Sequence, residues 1–431
     1  MTQANTSTGP GNIQKFEITS NKSGEKKDIS AGVVDYRYYE SVISNLYTAS
    51  AVVVESGNDE KGGAKGILDS LPIRGGEVTE IIIEDPSGNQ LRLQEPMYVN
   101  RVKDGIPGTQ QDVYVLDFVP KEHYLNNQNG VKERYEGNIK DNFVDIMTNV
   151  LKTNLPIEAD DTGLEMNFYG NGKKPFYMGT FLASKSVPTK GIDKLGGFLF
   201  YMTRDGFKFK AIDNLFDQEP VKKYIFNNTS DLPEGYDEKI VSYKIGEDID
   251  FEKNLNIGAY HLKSTFFDFY KMEFKETQLK IDDQESEANT AGKDFVTANQ
   301  EFWEKPTRGI SIIKDYGVNF KGEGDEQLEN FKQDDEKENF KSEKSTVQTI
   351  MRYNQMFTVK TEVMIPCDLS LKAGDIIECT FPDVESVKNK EDNKQTGGKY
   401  LVADICHRLT PEDSFTKMNL VRDSYGKQGG F

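Results

Sequence analysis

The stretch "LPIRGGEVTEII" (Leu71–Ile82) is answered near the other end of the chain by "LSLKAGDIIECT" (Leu369–Thr380). Leu71, Gly76 and Glu80 recur as Leu369, Gly374 and Glu378. Between them the chemistry is kept: Ile73 becomes Leu371, Arg74 becomes Lys372, Glu77 becomes Asp375 and Val78 becomes Ile376. Neither segment has the residues of a reaction centre. A segment repeated within one chain points to a duplicated structural unit, and a repeat missed mistakes the whole architecture.

The likeness extends outward in the same order. The strand-like run Val113–Val119 matches Phe415–Val421, with Leu116 falling on Met418, Phe118 on Leu420 and Asp117 on Asn419. "MYVNRV", ending at Val102, matches "LVADI", ending at Ile405. Upstream, "YYESVISNLYTASAV" from Tyr38 resembles "FEKNLNIGAYHLKST" from Phe251, which sets Tyr47 on Tyr260. A slip of one residue would send every side chain to the opposite face of a strand, so preserved inward and outward parity is the informative part. The expectation is two copies of one small β-barrel or curled sheet, the second split by an insertion.

Length and composition agree. At 431 residues the chain exceeds one ordinary core, so several domains are expected. Charged residues make up 29% and the net charge is −18, which argues against a broad grip on DNA or anionic lipid. Aromatics reach 11%, many in alternating runs, and favour strands. No apolar run is long enough for a membrane span, and "MTQANTSTGPGN" has no signal-peptide core and reads as a flexible tail. Cys367, Cys379 and Cys406 are read as reduced thiols of a chain made in cytoplasm.

Along the chain the pattern is β-rich from Gln14 to Glu122, and in "DVYVLDFVPKE" Tyr114, Leu116 and Phe118 share one face. From about His123 to Glu238 the character is mixed α+β. Ile139, Phe143, Ile146, Met147, Val150 and Leu151 predict an amphipathic helix over Asn138–Lys152. "FLFYMTRDGFKFKAID" predicts a hairpin turning at Asp205-Gly206, with Met202 opposite Phe209 and Phe200 opposite Ala211. The β pattern returns over Lys239–Leu279 and again from about Thr346 to Asp423. Between them lies an acidic insertion, where "GEGDEQLENFKQDDEKENFKSEKS" reads as a solvated loop. "SEANTAGKDFVTANQEFWEKP" reads as a short helix ending before Pro306, with Trp303 docking the insertion onto the body.

Catalytic and metal motifs are missing. His123, His261 and His407 have no ligand partner at helical or hairpin spacing, and no H-E-x-x-H, paired C-x-x-C or G-x-S-x-G occurs. Cys406 and His407 are adjacent, so on a strand they face opposite ways; a packed Cys and a partly exposed His are expected. "YGNGKKP" lacks phosphate-loop spacing and reads as a turn, and "DDTGLEMN" fails the EF-hand spacing. No enzyme activity and no cofactor or metal are expected.

Three passages carry a family resemblance: "DFEKNLNIGAYHLKSTFFDF", "GGFLFYMTRDGFKFKAIDNLF" and "YLVADICHRLTPEDSFTKMNLVRDSYG". With them the chain resembles the central baseplate hub protein of contractile-tailed bacteriophages, related to the hub part of VgrG spikes in type VI secretion. The resemblance implies a mainly β chain with two similar tube-type β-barrel domains and an α+β middle domain. The extents expected are 13–122 for the first β domain, 123–238 for the middle domain, and 239–280 with 346–425 for a discontinuous second one. Residues 281–345 form the insertion, and 1–12 and 426–431 are flexible tails.

The implied role is a structural virion protein of the tail baseplate, assembled in the host cytoplasm. It would be a homotrimer whose six β domains match a threefold spike trimer to a sixfold tail tube around the DNA and tape-measure channel. Implied partners are further copies of the chain, the spike, the first tail-tube ring or tube-initiator protein, and tape-measure and wedge proteins. No sequence-specific nucleic acid and no membrane insertion are implied. The alternatives are the hub of a related injection or secretion spike, or a cell-wall hydrolase acting in penetration. A VgrG usually continues into its spike, whereas this chain stops at Phe431, which favours the phage reading with a separate spike protein. The acidic balance suggests a bore lined by carboxylates that repels DNA phosphates. Candidate interface residues are the two repeated turns: Arg74, Gly75, Gly76 and Glu77, and Lys372, Ala373, Gly374 and Asp375.

Overall fold

The computed structural model describes residues 9–55, 71, 73–104, 112–163, 165–189, 195–227, 231–245, 250–269, 271–285, 288–293, 295, 299–313, 342–382 and 396–426. The fold is mostly β, with two similar units joined in one continuous sheet and a mixed unit between them in sequence.

The first unit is built from β1 (Asn12–Thr19), β2 (Lys26–Asp28), β3 (Val33–Ser41), β4 (Thr48–Glu55), β5 (Val78–Glu84), β6 (Gln90–Arg92), β7 (Met97–Asp104) and β8 (Asp112–Pro120). Its antiparallel neighbours run β2, β1, β5, β7, β8, β4, β3. Alternation decides which side is buried: Tyr114, Leu116 and Phe118 point inward with Phe16, Ile18, Tyr36 and Tyr38.

The middle unit holds β9 (Arg134–Tyr135), β10 (Ile157–Ala159), β11 (Phe168–Tyr169), β12 (Phe198–Thr203) and β13 (Gly206–Ala211), with helices Lys121–Gln128, Ile139–Asp145 and Pro175–Lys185. The expected amphipathic helix is present. It is α-helical over Ile139–Asp145, continues as a π-helix over Ile146–Leu151, and is bounded by Asn138 as N-cap and by left-handed Lys152. The hairpin is also present, two residues out of the expected register. Thr203 pairs with Gly206, so Arg204 and Asp205 make the turn, Met202 faces Phe207 and Phe200 faces Phe209. Gly206 serves a close approach instead, since a Cβ there would lie 2.2 Å from the Pro156 carbonyl oxygen. A two-residue shift leaves every side chain on its expected face. Phe198, Phe200 and Met202 join the core of the first unit, whereas Leu199 and Tyr201 join that of the second. β12 is therefore buried throughout, which explains its unbroken apolar run.

The second unit uses β14 (Lys222–Ile225), β15 (Glu238–Lys239) and β16 (Ser242–Ile245). The insertion follows with β17 (His261–Asp268), β18 (Glu273–Lys280) and β19 (Arg308–Ile313). The unit then resumes with β20 (Val359–Pro366), β21 (Ile376–Thr380), β22 (Gly398–Leu409) and β23 (Ser414–Arg422). Here the connectivity departs from expectation. β17, β18 and β19 form their own three-stranded sheet, and residues 346–355 lie in the helix Ser342–Gln355. The set of Tyr47 on Tyr260 therefore fails: Tyr260 packs in the core of the insertion, and the strand occupying the place of β3 is β16. A short β-like segment chooses its sheet by available partners, which its own alternation cannot reveal. Helix Ser342–Gln355 places Val347 and Met351 in that satellite core with Trp303. The acidic stretch from 314 to 341 lies outside the described residues, and among the described residues just before Trp303 the 3-10 turn Gln300–Phe302 stands in place of the expected helix.

Candidate interface: two turns and the seam between the units

The first turn is closed by its own glutamate. Glu77 is buried and accepts from the backbone N–H of Arg74 (2.8 Å) and of Gly75 (2.8 Å). Gly76, at φ +83°, donates to Val99 O (2.6 Å), and Val99 N–H donates back to Glu77 O (3.0 Å). The second turn repeats this skeleton. Asp375 accepts from Lys372 N–H (3.0 Å), Gly374 at φ +93° donates to Val402 O (2.9 Å), and Val402 N–H donates to Asp375 O (2.9 Å). The positive φ explains the glycine at each position.

The match continues into the strands. β7 bulges against β8 between Val99 and Arg101, and β22 bulges against β23 between Val402 and Asp404. Val99 faces Phe118 as Val402 faces Leu420, and Val102 faces Leu116 as Ile405 faces Met418. A bulge placed at the corresponding residue of both units is a shared design rather than chance alternation.

The surroundings of the two turns differ. Arg74 is exposed, and the first turn meets Asn21, whose side chain donates to Gly75 O (3.3 Å). The second is covered by the middle unit. Arg204 donates to the carbonyls of Leu369, Ser370 (2.7 Å) and Leu371 (3.0 Å), and Lys372 pairs with Asp205 at 2.6 Å. Buried Glu40 accepts from Ala373 N–H (2.9 Å), Arg204 N–H (2.8 Å) and the Tyr38 hydroxyl (2.8 Å). Burial pushes the Glu40 carboxyl above its ordinary range, against the pull of Arg204 and its three donors. Burial also raises Asp375, with Lys372 opposing. Lys372, Ala373, Gly374 and Asp375 are thus spent on contacts within the chain, whereas Arg74, Gly75 and Gly76 remain accessible.

Sequence reasoning missed the seam that joins the units. Antiparallel β3 and β22 run from Asp404 opposite Ser41 to Leu409 opposite Tyr36. His407 is fully buried there and Cys406 is half-buried, the reverse of the expectation. The imidazole stacks on Tyr38, and its Nε2 donates to Leu371 O (3.2 Å) while Nδ1 accepts from the Thr416 hydroxyl (2.9 Å). Burial, with Arg204 nearby, pushes the His407 pKa down to about 3. A neutral imidazole fits a site with one carbonyl acceptor and one hydroxyl partner. The signal was the parity of "DICHRL": if Cys406 faces out, His407 must face in.

On the opposite face an open groove of about 820 Å³ runs from β3 across β22, β23 and β20 to β16. Of the charges on it, Arg37 and Arg408 both meet Asp35, and Lys417 meets Glu362 at 2.9 Å. Among the described residues no group of three His, Cys, Asp or Glu is placed to hold a metal ion, and no helix is long and apolar enough to cross a membrane. "YGNGKKP" is a turn with Asn171 and Gly172 at positive φ, and Asp160 and Asp161 are taken up by Lys210 and Lys140.

No protein-family model and no curated protein matches the chain. Solved structures do. The 43 kDa tail protein of prophage MuSo2 from Shewanella oneidensis matches with a TM-score of 0.55 and 9% identity, over 95% of this chain and 98% of that one. The tail protein from Neisseria meningitidis MC58 matches with a TM-score of 0.53 and 10% identity, over 95% and 96%. The chain therefore shares the fold of these two tail proteins, mainly β with two like units.

Proposed function

We propose that the chain is a structural tail component, the central hub of a contractile-tail baseplate. In this reading three copies form a ring of six quasi-equivalent β units, which seats a threefold spike on one side and the first ring of a sixfold tube on the other. The ring surrounds the channel for DNA and the tape-measure protein, and the accessible turn at Arg74–Gly76 offers a docking point repeated around it. One observation carries the reading. The two units share turn hydrogen bonds, bulge position and strand register, yet are joined edge to edge in one sheet, as neighbours in a ring would be. A subunit with an internal duplication is a physical way for threefold symmetry to meet sixfold symmetry.

Catalysis has no part in this reading, because the buried titratable groups serve packing and turn closure. An acid-lined bore gains no support from the groove face, where Asp35 and Glu362 are neutralised by arginine and lysine. Light scattering on the full chain tests the proposal: a mass three times that of the monomer is expected, and a monomer at every concentration overturns it. Averaged electron-microscopy images of the assembly should show six similar lobes, and three unlike pairs would count against the hub role.

A further inference from the structure

The segment that leads into the second turn is held from outside its own unit. Leu369–Ala373 lies between β20 and β21 and belongs to no strand, so its backbone groups need other partners. Side chains supply them. Leu369 N–H donates to Asp85 Oδ2 (2.9 Å) and Ala373 N–H donates to Glu40 Oε2 (2.9 Å); both carboxylates are buried and both belong to the first unit. Arg204 of the middle unit spans the other side, donating to the carbonyls of Leu369, Ser370 and Leu371. Two side chains go with these bonds. Cys367 and Leu369 sit in the core of the first unit, whereas Leu371 and Ala373 sit in that of the second.

The length of one acidic side chain separates the two turns. In the first, Glu77 reaches both Arg74 N–H and Gly75 N–H, so the turn closes on itself. Asp375 is one methylene shorter. It accepts from Lys372 N–H, and Ala373 N–H, the counterpart of Gly75 N–H, goes to Glu40 instead. The second turn is thus completed by a carboxylate of the other unit.

We propose that Asp85, Glu40 and Arg204 form a latch closed on Leu369–Ala373, and that releasing it lifts this segment and Cys367 out of the first unit while β3 and β22 stay paired. The device lies within one chain and does not depend on the ring reading. Hydrogen bonds to charged side chains are strong, and removing one such side chain orphans the backbone groups it held. The segment then gains by opening to water. The seam behaves differently, because from Asp404–Ser41 to Leu409–Tyr36 it is a backbone ladder that a side-chain substitution leaves in place. It is the hinge on which the latch opens.

The protein's own thiols report on this motion. Cys367 follows the segment into the first unit, and Cys379 is buried in the core of the second. The test is the full chain with Cys406→Ser, which silences the half-buried thiol, and on that background Arg204→Lys or Asp85→Asn. Lysine keeps the charge but cannot fork to three carbonyls. Asparagine keeps the Oδ1 that accepts from Ser87 and Asn89 N–H and loses the acceptor for Leu369. With an aromatic disulfide reagent and peptide mapping, Cys367 should be labelled at least tenfold faster in each variant, with Cys379 unchanged. Hydrogen exchange at Tyr36–Ser41 should stay as slow as in the Cys406→Ser parent. Labelling of Cys367 no faster than in that parent overturns the latch. Equal acceleration of Cys367 and Cys379 also overturns it, since general unfolding gives that result, and lost protection at Tyr36–Ser41 overturns the hinge.

Discussion

The two β units have the same turn and live in different company. In the first, the outer edge of β5 is covered by antiparallel β1; in the second, the outer edge of β21 is covered by parallel β14. β3 passes to β4 through a short loop, whereas the path from β16 to β20 carries a separate sheet and a helix. The first turn is open at Arg74; the second lies under Arg204, Glu40 and Tyr201. A duplicated sequence thus preserves the hydrogen-bond skeleton that it encodes locally, while the neighbours pressed on that skeleton diverge. For an assembly needing like units on one face and unlike units on another, that division is useful.

The sharpest way to break the comparison is at the insertion, which only the second unit carries. Arg352 of helix Ser342–Gln355 is fully buried and pairs with Asp423 (2.6 Å) and Asp213 (2.8 Å). Arg352→Met strands two buried carboxylates and should cost about 3–5 kcal/mol. Chemical denaturation checks this, and a loss under about 1 kcal/mol would show the insertion to be an accessory.

A second test compares the turn glycines. Gly374→Ala adds left-handed strain and a Cβ 2.3 Å from the Tyr201 hydroxyl, for a cost of about 2–3 kcal/mol. Gly76→Ala adds the strain with nothing closer than the Asn21 amide at 3.5 Å, and should cost about 1 kcal/mol. Equal losses in denaturant melts would mean that surroundings contribute nothing.

The third test is acid. The folded His407 pKa, about 3, lies below its ordinary 6.5, so the unfolded chain binds the proton first. This contribution is complete above pH 6.5 and is lost as pH falls towards 3, at about 1.4 kcal/mol per pH unit. Glu40 and Asp375 act in the opposite sense. Burial raises their carboxyls, so the stability they cost at neutral pH returns as they protonate. His407→Gln keeps a donor for Leu371 O and should flatten the fall in Tm between pH 6.5 and 5. An unchanged slope would remove His407 as its source. Hydrogen exchange at pH 5 should loosen the β3–β22 seam before the β7–β8 pair, whose corresponding residue is Asp104.

The smallest effect concerns the cysteines. Cys367 and Cys379 are buried, with thiols pushed up by burial, whereas Cys406 is half-buried on the groove face. Folded protein should release one slowly reacting thiol to an aromatic disulfide reagent, and Cys406→Ser should abolish it.

Much of the fold was legible where information is local. Gly76 and Gly374, the carboxylates after them and the parity of Leu116 with Met418 follow from φ > 0, side-chain reach and a period of two. The amphipathic spacing from Ile139 to Leu151 likewise reported its helix. The site was legible in part: both turns were found, and the burial of the second was not. Residues that touch it, such as Glu40, Arg204 and Tyr201, are far away in the chain, and no local pattern marks them. The same limit explains Tyr260. Its strand alternates as well as any other, but alternation states that one face is buried and not against what.

By itself the sequence determined that the chain holds two copies of one β design and which residues of each face inward, because those features depend on neighbours along the chain. Only the tertiary structure decided which copy of the turn stays open, which strand replaces β3 in the second copy, and that the copies share one sheet. Those outcomes depend on which edges meet in space, and a strand edge offers the same N–H and C=O groups whatever its sequence.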